Sequence, residues 1–435
     1  MKIHNPELAA LIKPTYTPAD LQAIQAFLAK HGVLEFKTLP NGLFPAADLQ
    51  QDAQYTGYAS IWLRDNVHIA HAHYVVGKTD IAVRTVLSLM EYMKKQESRF
   101  AKIIRKETHA DDIMHRPHVR FNGMTLSDID QVWAHAQNDA LGYLLWFYCT
   151  LVEEEIITPT PADLEFLALF ALHFNALPFW TDEDSGHWEE TRKVSASSIG
   201  VATAGLRSMR RVWSAKTLDG RFGFENQPVT LNLLDHLVAN GEGALQSLLP
   251  AECIQPEPAK NRRYDGALLF LIYPVDAINA KAADAILADV KEHLQGEYGI
   301  RRYKGDSFWA PGYKKLLTED MRTADFSSDL SARDAMLKEG QEAQWCIFDP
   351  TISTIYGRRY QASRDPADLA LQIEYLNRSL GQITGKDGPH PAFRCPELYY
   401  VEDQHYVPSD ATPLLWTQAN LMIALATMEK SVAAD

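Results

Sequence analysis

Residues 141–152 read LGYLLWFYCTLV, and the reading of this stretch decides the fold. Its apolar side chains fall on nearly every side of a 3.6-residue helix, so the helix is buried on most of its faces. Asp80–Lys94 instead carries a single polar stripe on an otherwise apolar helix. Alternation of the two kinds fits two concentric layers, one enclosed and one half-exposed. Outward from residue 141 the helical period recurs at about 65–77, 79–98, 135–156, 161–176, 195–214, 228–247, 278–294, 340–358, 366–382 and 411–430. Pro350 is expected to break the eighth of these. Thr17-Pro18-Ala19-Asp20 opens one more helix, to about Lys30, with Thr as the cap and Pro in the first turn. Residues 33–44, with Asn41-Gly42 between apolar neighbours, read as a small hairpin. Other strands are few and short.

A chain of 435 residues suggests about three domains by length, but closed helical toroids run long as one unit. No clear linker divides it, and no strict repeat of 20–50 residues is present. Hydrophobic residues at 46% and charged residues at 23% are ordinary for a globular chain. Lys plus Arg number 42 against 56 Asp plus Glu, a formal charge of −14. That opposes a nucleic-acid partner, which calls for a basic face, and an acidic membrane surface. No apolar run approaches the roughly 20 residues that span a bilayer, and the N-terminal stretch has no signal-peptide core. The four cysteines, Cys149, Cys253, Cys346 and Cys395, show no CxxC spacing. They suit a reducing compartment, so a cytoplasmic protein is expected.

Six groups rich in Trp, Arg and carboxylates stand near helix ends: Trp62-Leu-Arg64-Asp65, Trp133 to Asp139, His187-Trp188-Glu189-Glu190, Arg301 to Asp306, Glu342 to Trp345, and Pro396-Glu397-Leu398-Tyr399-Tyr400. Helices alternating up and down collect such ends on one face. Trp and Tyr offer flat apolar surfaces with polar edges, while Arg, Asp and Asn offer directional hydrogen bonds. A sugar, with apolar ring faces and a hydroxyl rim, needs both. Taken singly each group has a plainer reading. Arg64-Asp65 resembles a helix cap with a surface ion pair, a lone Trp is usually core, and Glu189-Glu190 suit a helix's first turn. Their concentration at helix ends is what the plainer readings leave unexplained.

In their order along residues 55–430 these groups resemble glycoside hydrolase family 15, the glucoamylases, and the glucoamylase-like domain of phosphorylase kinase alpha and beta subunits. Trp62-x-Arg64-Asp65 is similar to the family's first motif, whose Arg and Asp hold hydroxyls of the terminal glucose. Trp133-x-x-x-Gln137-Asn138-Asp139 resembles the second, Trp188-Glu189-Glu190 the Trp-Glu-Glu that carries the general acid and a sugar-binding Glu, and Arg302-Tyr303-x-x-Asp306 the substrate loop. Trp345 falls at a subsite Trp, and Glu397 at the general base. The resemblance implies an all-α (α/α)6 barrel, a six-hairpin toroid with short β-hairpin insertions. It is expected as one domain over 1–435, with 1–54 an N-terminal helix and hairpin extension. It implies catalytic Glu189 and Glu397, and substrate binding by Trp62, Arg64, Asp65, Trp133, Asp139, Trp188, Glu190, Arg302, Asp306 and Trp345. No starch-binding domain or N-terminal β-sandwich is evident.

The chemistry agrees independently. Glycoside cleavage needs one protonated acid at the leaving oxygen and one ionised carboxylate. Trp188 beside Glu189 disfavours the charged form, and Glu190 does the same if its side chain points into the site. Tyr399 and Tyr400 offer hydroxyls to orient Glu397; Glu402, Asp403 and Glu342 are second choices as base. Inversion, implied by the resemblance, puts the two carboxyls about 6.5–9.5 Å apart. His68, His71 and His73 read as core or interface histidines, because 73 is turned away from the face that 68 and 71 share. His109, His115 and His118 fall in a loop. No metal and no cofactor are expected, and no phosphate-loop pattern precedes a helix. The expected activity is exo-acting release of glucose from α-linked glucans or oligosaccharides. The alternatives are a carbohydrate-sensing regulatory module and an α-glucosidase of another linkage, such as trehalose or isomaltose.

Overall fold

A computed structural model describes residues 1–47, 60–318, 322 and 324–433. Twelve of its helices form a closed double ring: α1 (Pro18–Lys30), α2 (Leu63–Val75), α3 (Thr79–Lys95), α4 (Asn138–Glu153), α5 (Pro161–Ala176), α6 (Ala196–Ala215), α7 (Leu231–Leu248), α8 (Leu269–Ile272), α9 (Ala280–Asp289), α10 (Phe348–Ser363), α11 (Pro366–Gly381) and α12 (Leu415–Val432). The even-numbered helices make the inner ring. Each packs on the next, α2 on α4, α6, α8, α10 and α12 in turn, and α12 returns to α2. The odd-numbered helices lie outside, each against an inner partner; α1 packs on α12 and α11 on α10. This is the all-α (α/α)6 toroid that the family resemblance implies.

The layering follows from the side chains. In α4 fourteen residues from Asn138 to Val152 are buried, Leu141, Trp146 and Phe147 among them. In α3 burial is confined to a stripe including Ala82, Val86, Leu89 and Met93. The inner helices α4 and α6 meet closely because two glycines leave room. A Cβ on Gly142 would stand 2.7 Å from the Ala202 nitrogen, and one on Gly205 2.7 Å from the Gly142 oxygen. Thr17 with Asp20, and Thr160 with Asp163, form reciprocal capping boxes at the starts of α1 and α5, satisfying first-turn N–H groups.

Several expectations change. Residues 33–44 make a turn at Asn41-Gly42, with Gly42 N–H donating to Leu39 O, but no paired strands. Phe44 N–H donates instead to Asn66 Oδ1, and Phe36 and Phe44 pack on His73, so this segment is held by α2. Residues 48–54 of the expected extension lie outside the described residues, while α1 belongs to the outer ring. Pro350 occupies the first turn of α10, where a missing N–H costs no helical bond. Residues 344–345 are a strand instead of helix. The 79–98 segment divides at Gln96 into α3 and a helix over Glu97–Ile104, and α9 ends in a π turn over Val290–Leu294.

Short sheets brace the ring ends. Strands β1 (Ile61–Trp62), β2 (Arg120–Asn122) and β3 (Ser127–Asp128) form one antiparallel sheet. A hairpin joins β4 (Gly223–Phe224) to β5 (Gln227–Pro228). In the third sheet β6 (Gln344–Trp345) pairs with β7 (Leu398–Glu402), and β7 with β8 (His405–Pro408). No helix among the described residues is long and apolar enough to cross a membrane.

Candidate active site

Site residues gather at the N-terminal ends of the inner helices. Trp62 and β1 lead into α2, Trp133–Gln137 into α4, the Gly186–Trp188 turn toward α6, β6 into α10, and Glu397 and Leu414 toward α12. Helix N-termini carry partial positive charge, so this face favours carboxylates. The ends enclose a cavity of about 100 Å³. A single water needs roughly 10–15 Å³ of such space, so there is room for several waters or a small polar group.

Trp62, Arg64, Asp65, Trp133, Trp188, Glu189, Arg302, Trp345 and Glu397 all line this cavity. Trp62 and Trp133 meet edge to face with centroids 6.1 Å apart, and the Arg120 guanidinium stacks on both, at 4.9 and 4.0 Å. Across the cavity Arg302 lies 4.8 Å from the Trp345 ring and 5.1 Å from that of Trp188. Trp188 is fixed by its Nε1–H, which donates to Asp265 Oδ1 at 2.8 Å. Aromatic faces and charged hydrogen-bonding groups therefore alternate around the wall.

Three other carboxylates predicted to bind substrate stand behind that wall. Asp139, fully buried, accepts from Arg64 Nη1 at 2.7 Å. Asp306, also fully buried, accepts from Arg302 Nε and Nη2 at 2.7 and 2.6 Å. Glu190, 1% exposed, accepts from Arg302 Nη2 at 2.9 Å, from Tyr303 Oη at 2.5 Å, and from Arg333. These three hold the guanidiniums that face the cavity.

Glu189 has φ 58° and ψ 41°, a left-handed conformation, and its side chain lines the cavity while that of Glu190 does not. Its Oε1 accepts from Arg64 Nη2 at 3.1 Å and from Gln137 Nε2 at 3.4 Å. Burial, the largest influence, raises its pKa above the ordinary glutamate value; Arg64 and Arg120 pull down, and Asp139 pushes up. Glu190 takes no part, because its charge is spent on the Arg302–Arg333 cluster, which holds its own pKa well below the usual range against burial. Asp65 is raised to about 7, by burial first and then by Glu189 and Asp139 against the pull of Arg64.

Glu397 is set between the end of β6 and the 409–412 turn. Its N–H donates to Ala411 O at 3.0 Å and its carbonyl accepts from Cys346 N at 2.9 Å. Ser409 Oγ stands 3.4 Å from its Oε2. Tyr399, expected to orient Glu397, donates its hydroxyl to Gln382 O at 2.7 Å, and Tyr400 packs on Trp309. Of the second-choice bases none reaches the cavity wall. Glu342 accepts from Gly305 N and pairs with Arg301, and Asp403 pairs with Lys315.

Sequence reasoning quoted His187 without giving it a role, and missed Phe308, Asp325, Phe326, Arg333 and Trp416 on the wall. Of these Trp416 had a usable signal, because it opens a helix like other site tryptophans. Asp325, Phe326 and Arg333 lie in an excursion without periodicity. His187 Nε2 is 3.0 Å from Tyr143 Oη, and its ring stacks on Phe270. His68 stacks on Trp416, and His71 packs among Trp146, Phe147 and Tyr273. His73 Nδ1 is 2.8 Å from Ile69 O. All three are buried, and burial lowers each pKa, that of His71 to about 3. They are core aromatics.

A closed six-hairpin helical ring, with Asp65, Glu189, Asp325 and Glu397 all lining one aromatic cavity at its end, has the fold of the glycoside hydrolase class. The model of the glycosyl hydrolases family 15 matches residues 21–364. The chain belongs to that family. A probable phosphorylase b kinase regulatory subunit alpha of Caenorhabditis elegans is 25% identical over 410 residues, spanning 85% of this chain and 30% of that protein. A Drosophila melanogaster protein of the same description is 24% identical over 62% of this chain and 22% of its own length. The chain thus spans less than a third of these curated relatives. Among solved structures, a wild-type glycosidase superposes with TM-score 0.65 at 16% identity, covering 95% of this chain and 99% of the other. The glucoamylase from Saccharomycopsis fibuligera does so with TM-score 0.60 at 11% identity, covering 98% of each.

Proposed function

We propose that this chain is an inverting, exo-acting glycoside hydrolase that releases glucose from the non-reducing end of an α-linked glucan or oligosaccharide. In this reading residues 1–435 act as one catalytic domain, in a reducing, cytoplasmic setting. The observation that carries the reading is the entry of Glu189 and Glu397 into one cavity with the charge-binding rim of Arg64 and Asp65. Glu189 protonates the leaving oxygen. Burial keeps a proton on it at a pH where an exposed glutamate has lost one. Glu397 takes a proton from water, which attacks the anomeric carbon on the opposite face. Asp65 and Arg64 grip hydroxyls of the terminal sugar, and Trp62, Trp133 and Trp345 cover its apolar faces.

A second reading, a carbohydrate-sensing module, is favoured by the similarity to kinase regulatory subunits. A sensor needs the aromatic and Arg64/Asp65 rim but not two carboxylates in the same cavity. Incubation with a panel of α-linked glucosides, including maltose, trehalose and isomaltose, separates the two by the free glucose formed. Binding without release of glucose from any of them supports the sensor.

A further inference from the structure

Trp188 is half-buried and lines the cavity. The main chain before and after it is well held. Ser185 N–H donates to Ala136 O at 2.7 Å, Arg64 Nη1 donates to Gly186 O at 3.3 Å, and Asp184 and Lys193 exchange bonds of 3.0 and 2.9 Å. None of these sets the plane of the indole. Its ring neighbours His187, Trp345 and Phe348 lie at centroid distances of 5.9, 5.8 and 5.9 Å, and the Arg302 guanidinium at 5.1 Å. Packing contacts of this kind are weak one by one. An indole has one donor and no acceptor, and that of Trp188 goes to Asp265 Oδ1 at 2.8 Å. Three other cavity tryptophans differ: the indole N–H groups of Trp133, Trp345 and Trp416 are buried without an acceptor among the described residues.

Asp265 is 1% exposed and absent from the cavity wall. Its Oδ1 also accepts from Ala267 N at 2.9 Å, capping the turn that leads into α8, and its Oδ2 accepts from Arg262 Nη1 at 3.1 Å. Arg262 lies over the Tyr303 ring, 3.3 Å from its centroid. Gly266 N–H donates to Arg302 O at 2.7 Å. Residues 265–266 thus tie the Trp188 indole to the main chain of Arg302, whose guanidinium packs on that indole. Capping explains the Ala267 bond alone, and a serine would serve it as well. Reaching the indole takes the longer carboxylate.

We infer that Asp265 is a positioning residue for sugar binding: from behind the cavity wall it sets the plane of the Trp188 indole, and with it the aromatic face offered beside Arg302 and Trp345. This rests on the reading of the cavity as a glucoside site. An aromatic face packs on a sugar before and during reaction alike, so losing its alignment should raise KM and spare kcat.

The test compares Asp265→Ser with Asp265→Asn. Ser keeps an oxygen for Ala267 N–H and is too short for the indole, whereas Asn keeps an amide oxygen for the indole. Both lose the charge that pairs with Arg262. Hydrogen exchange of the Trp188 indole N–H is followed by NMR, the resonance assigned by its loss in Trp188→Phe, with kinetics on an α-glucoside that the wild type hydrolyses. Exchange should rise at least about tenfold in Asp265→Ser and stay within about threefold of wild type in Asp265→Asn. KM should rise at least about fivefold in Asp265→Ser with kcat within about threefold, and Asp265→Asn should hold KM within about twofold of wild type. Unchanged indole exchange in folded Asp265→Ser overturns the inference. So does an equal rise of KM in both variants, which puts the effect in the Arg262 pair, and so does a fall in kcat with KM kept. If Asp265→Ser does not fold, the wild type still decides. Exchange of the Trp188 indole at the rate of free indole overturns the inference, and exchange at least about thirtyfold slower supports it. Absence of turnover in the wild type overturns the hydrolase reading only, because the exchange measurement needs no substrate.

Discussion

Replacing Arg64 by Met tests the electrostatic frame of the site. Met keeps most of the buried stem and removes the guanidinium. Arg64 Nη1 donates to Asp139 at 2.7 Å, Gln137 at 3.2 Å and Gly186 O at 3.3 Å, while Nη2 reaches Glu189 at 3.1 Å. The variant therefore leaves Asp139, with no solvent exposure, without its cation. Breaking one side of a buried ion pair costs about 3–5 kcal/mol. Unfolding entropy near 2.1 cal/mol/K per residue gives about 0.9 kcal/mol/K for 435 residues, so the expected loss of Tm is about 3–6 °C. The pH dependence has a definite sign. Arg64 is what opposes burial at Asp139, so in the variant the Asp139 pKa rises above its unfolded value and stability falls as pH rises through it. The Tm gap to wild type should widen from pH 5 to pH 8 in differential scanning calorimetry. Arg64 also lowers the Glu189 pKa, so the alkaline limb of the rate profile should move to higher pH. A variant that melts within about 1 °C of wild type at pH 8, with both limbs in place, would refute the reasoning and leave Arg64 as a sugar ligand only.

Glu189→Gln and Glu397→Gln should each lower turnover by several orders of magnitude without unfolding. A rate within about tenfold of wild type, roughly 1.4 kcal/mol, removes that residue from its role. Asp65→Asn should flatten part of the stability–pH curve. A carboxyl raised to about 7 in the folded chain contributes stability at pH 4 that is lost as pH approaches 7. Wild type should therefore lose stability relative to Asp65→Asn between pH 4 and 7 in urea titrations, and parallel curves count against the assignment. NMR of the first-formed sugar, before mutarotation, should show β-glucose from an α-glucoside; α-glucose would make Glu397 a nucleophile candidate.

The two helical layers were legible because their rules are local, whereas closure into six hairpins came only with the family resemblance. Residues 141–152 are apolar on all sides only in a helix enclosed by others, and the half-striped Asp80–Lys94 segment belongs outside. The motifs were legible because helix starts concentrate aromatic and charged residues at fixed offsets, as at Trp62-x-Arg64-Asp65. Side-chain direction was not. Glu189 and Glu190 adjoin in sequence, yet one lines the cavity and the other meets an arginine cluster. Nor does sequence spacing reveal that Asp139 and Asp306 stand behind the arginines they hold. Asp325, Phe326 and Arg333 escaped notice because the wall they complete, not a helical or strand period, sets their places. Pro350 misled because the helix it was expected to break begins two residues before it.

The carboxylates behind the wall bear on how an acid can work beside an arginine. A guanidinium 3.1 Å from Glu189, acting alone, favours the ionised carboxylate, and an ionised carboxylate has no proton to give. Asp139 accepts from the same guanidinium and itself raises the Glu189 pKa. Across the cavity Asp306 and Glu190 do the same for Arg302, and Glu190 does so for Arg333. Each of these cavity-facing arginines thus arrives with a buried counter-charge, offering hydrogen bonds to a sugar at little net positive potential. Arg64 still pulls on Glu189, but burial outweighs it, which is the direction the proposed acid role requires in a wall built from arginines. Asp139, Glu190 and Asp306 stand behind the cavity lining and hold its arginines, so replacing any of them should alter the pH profile.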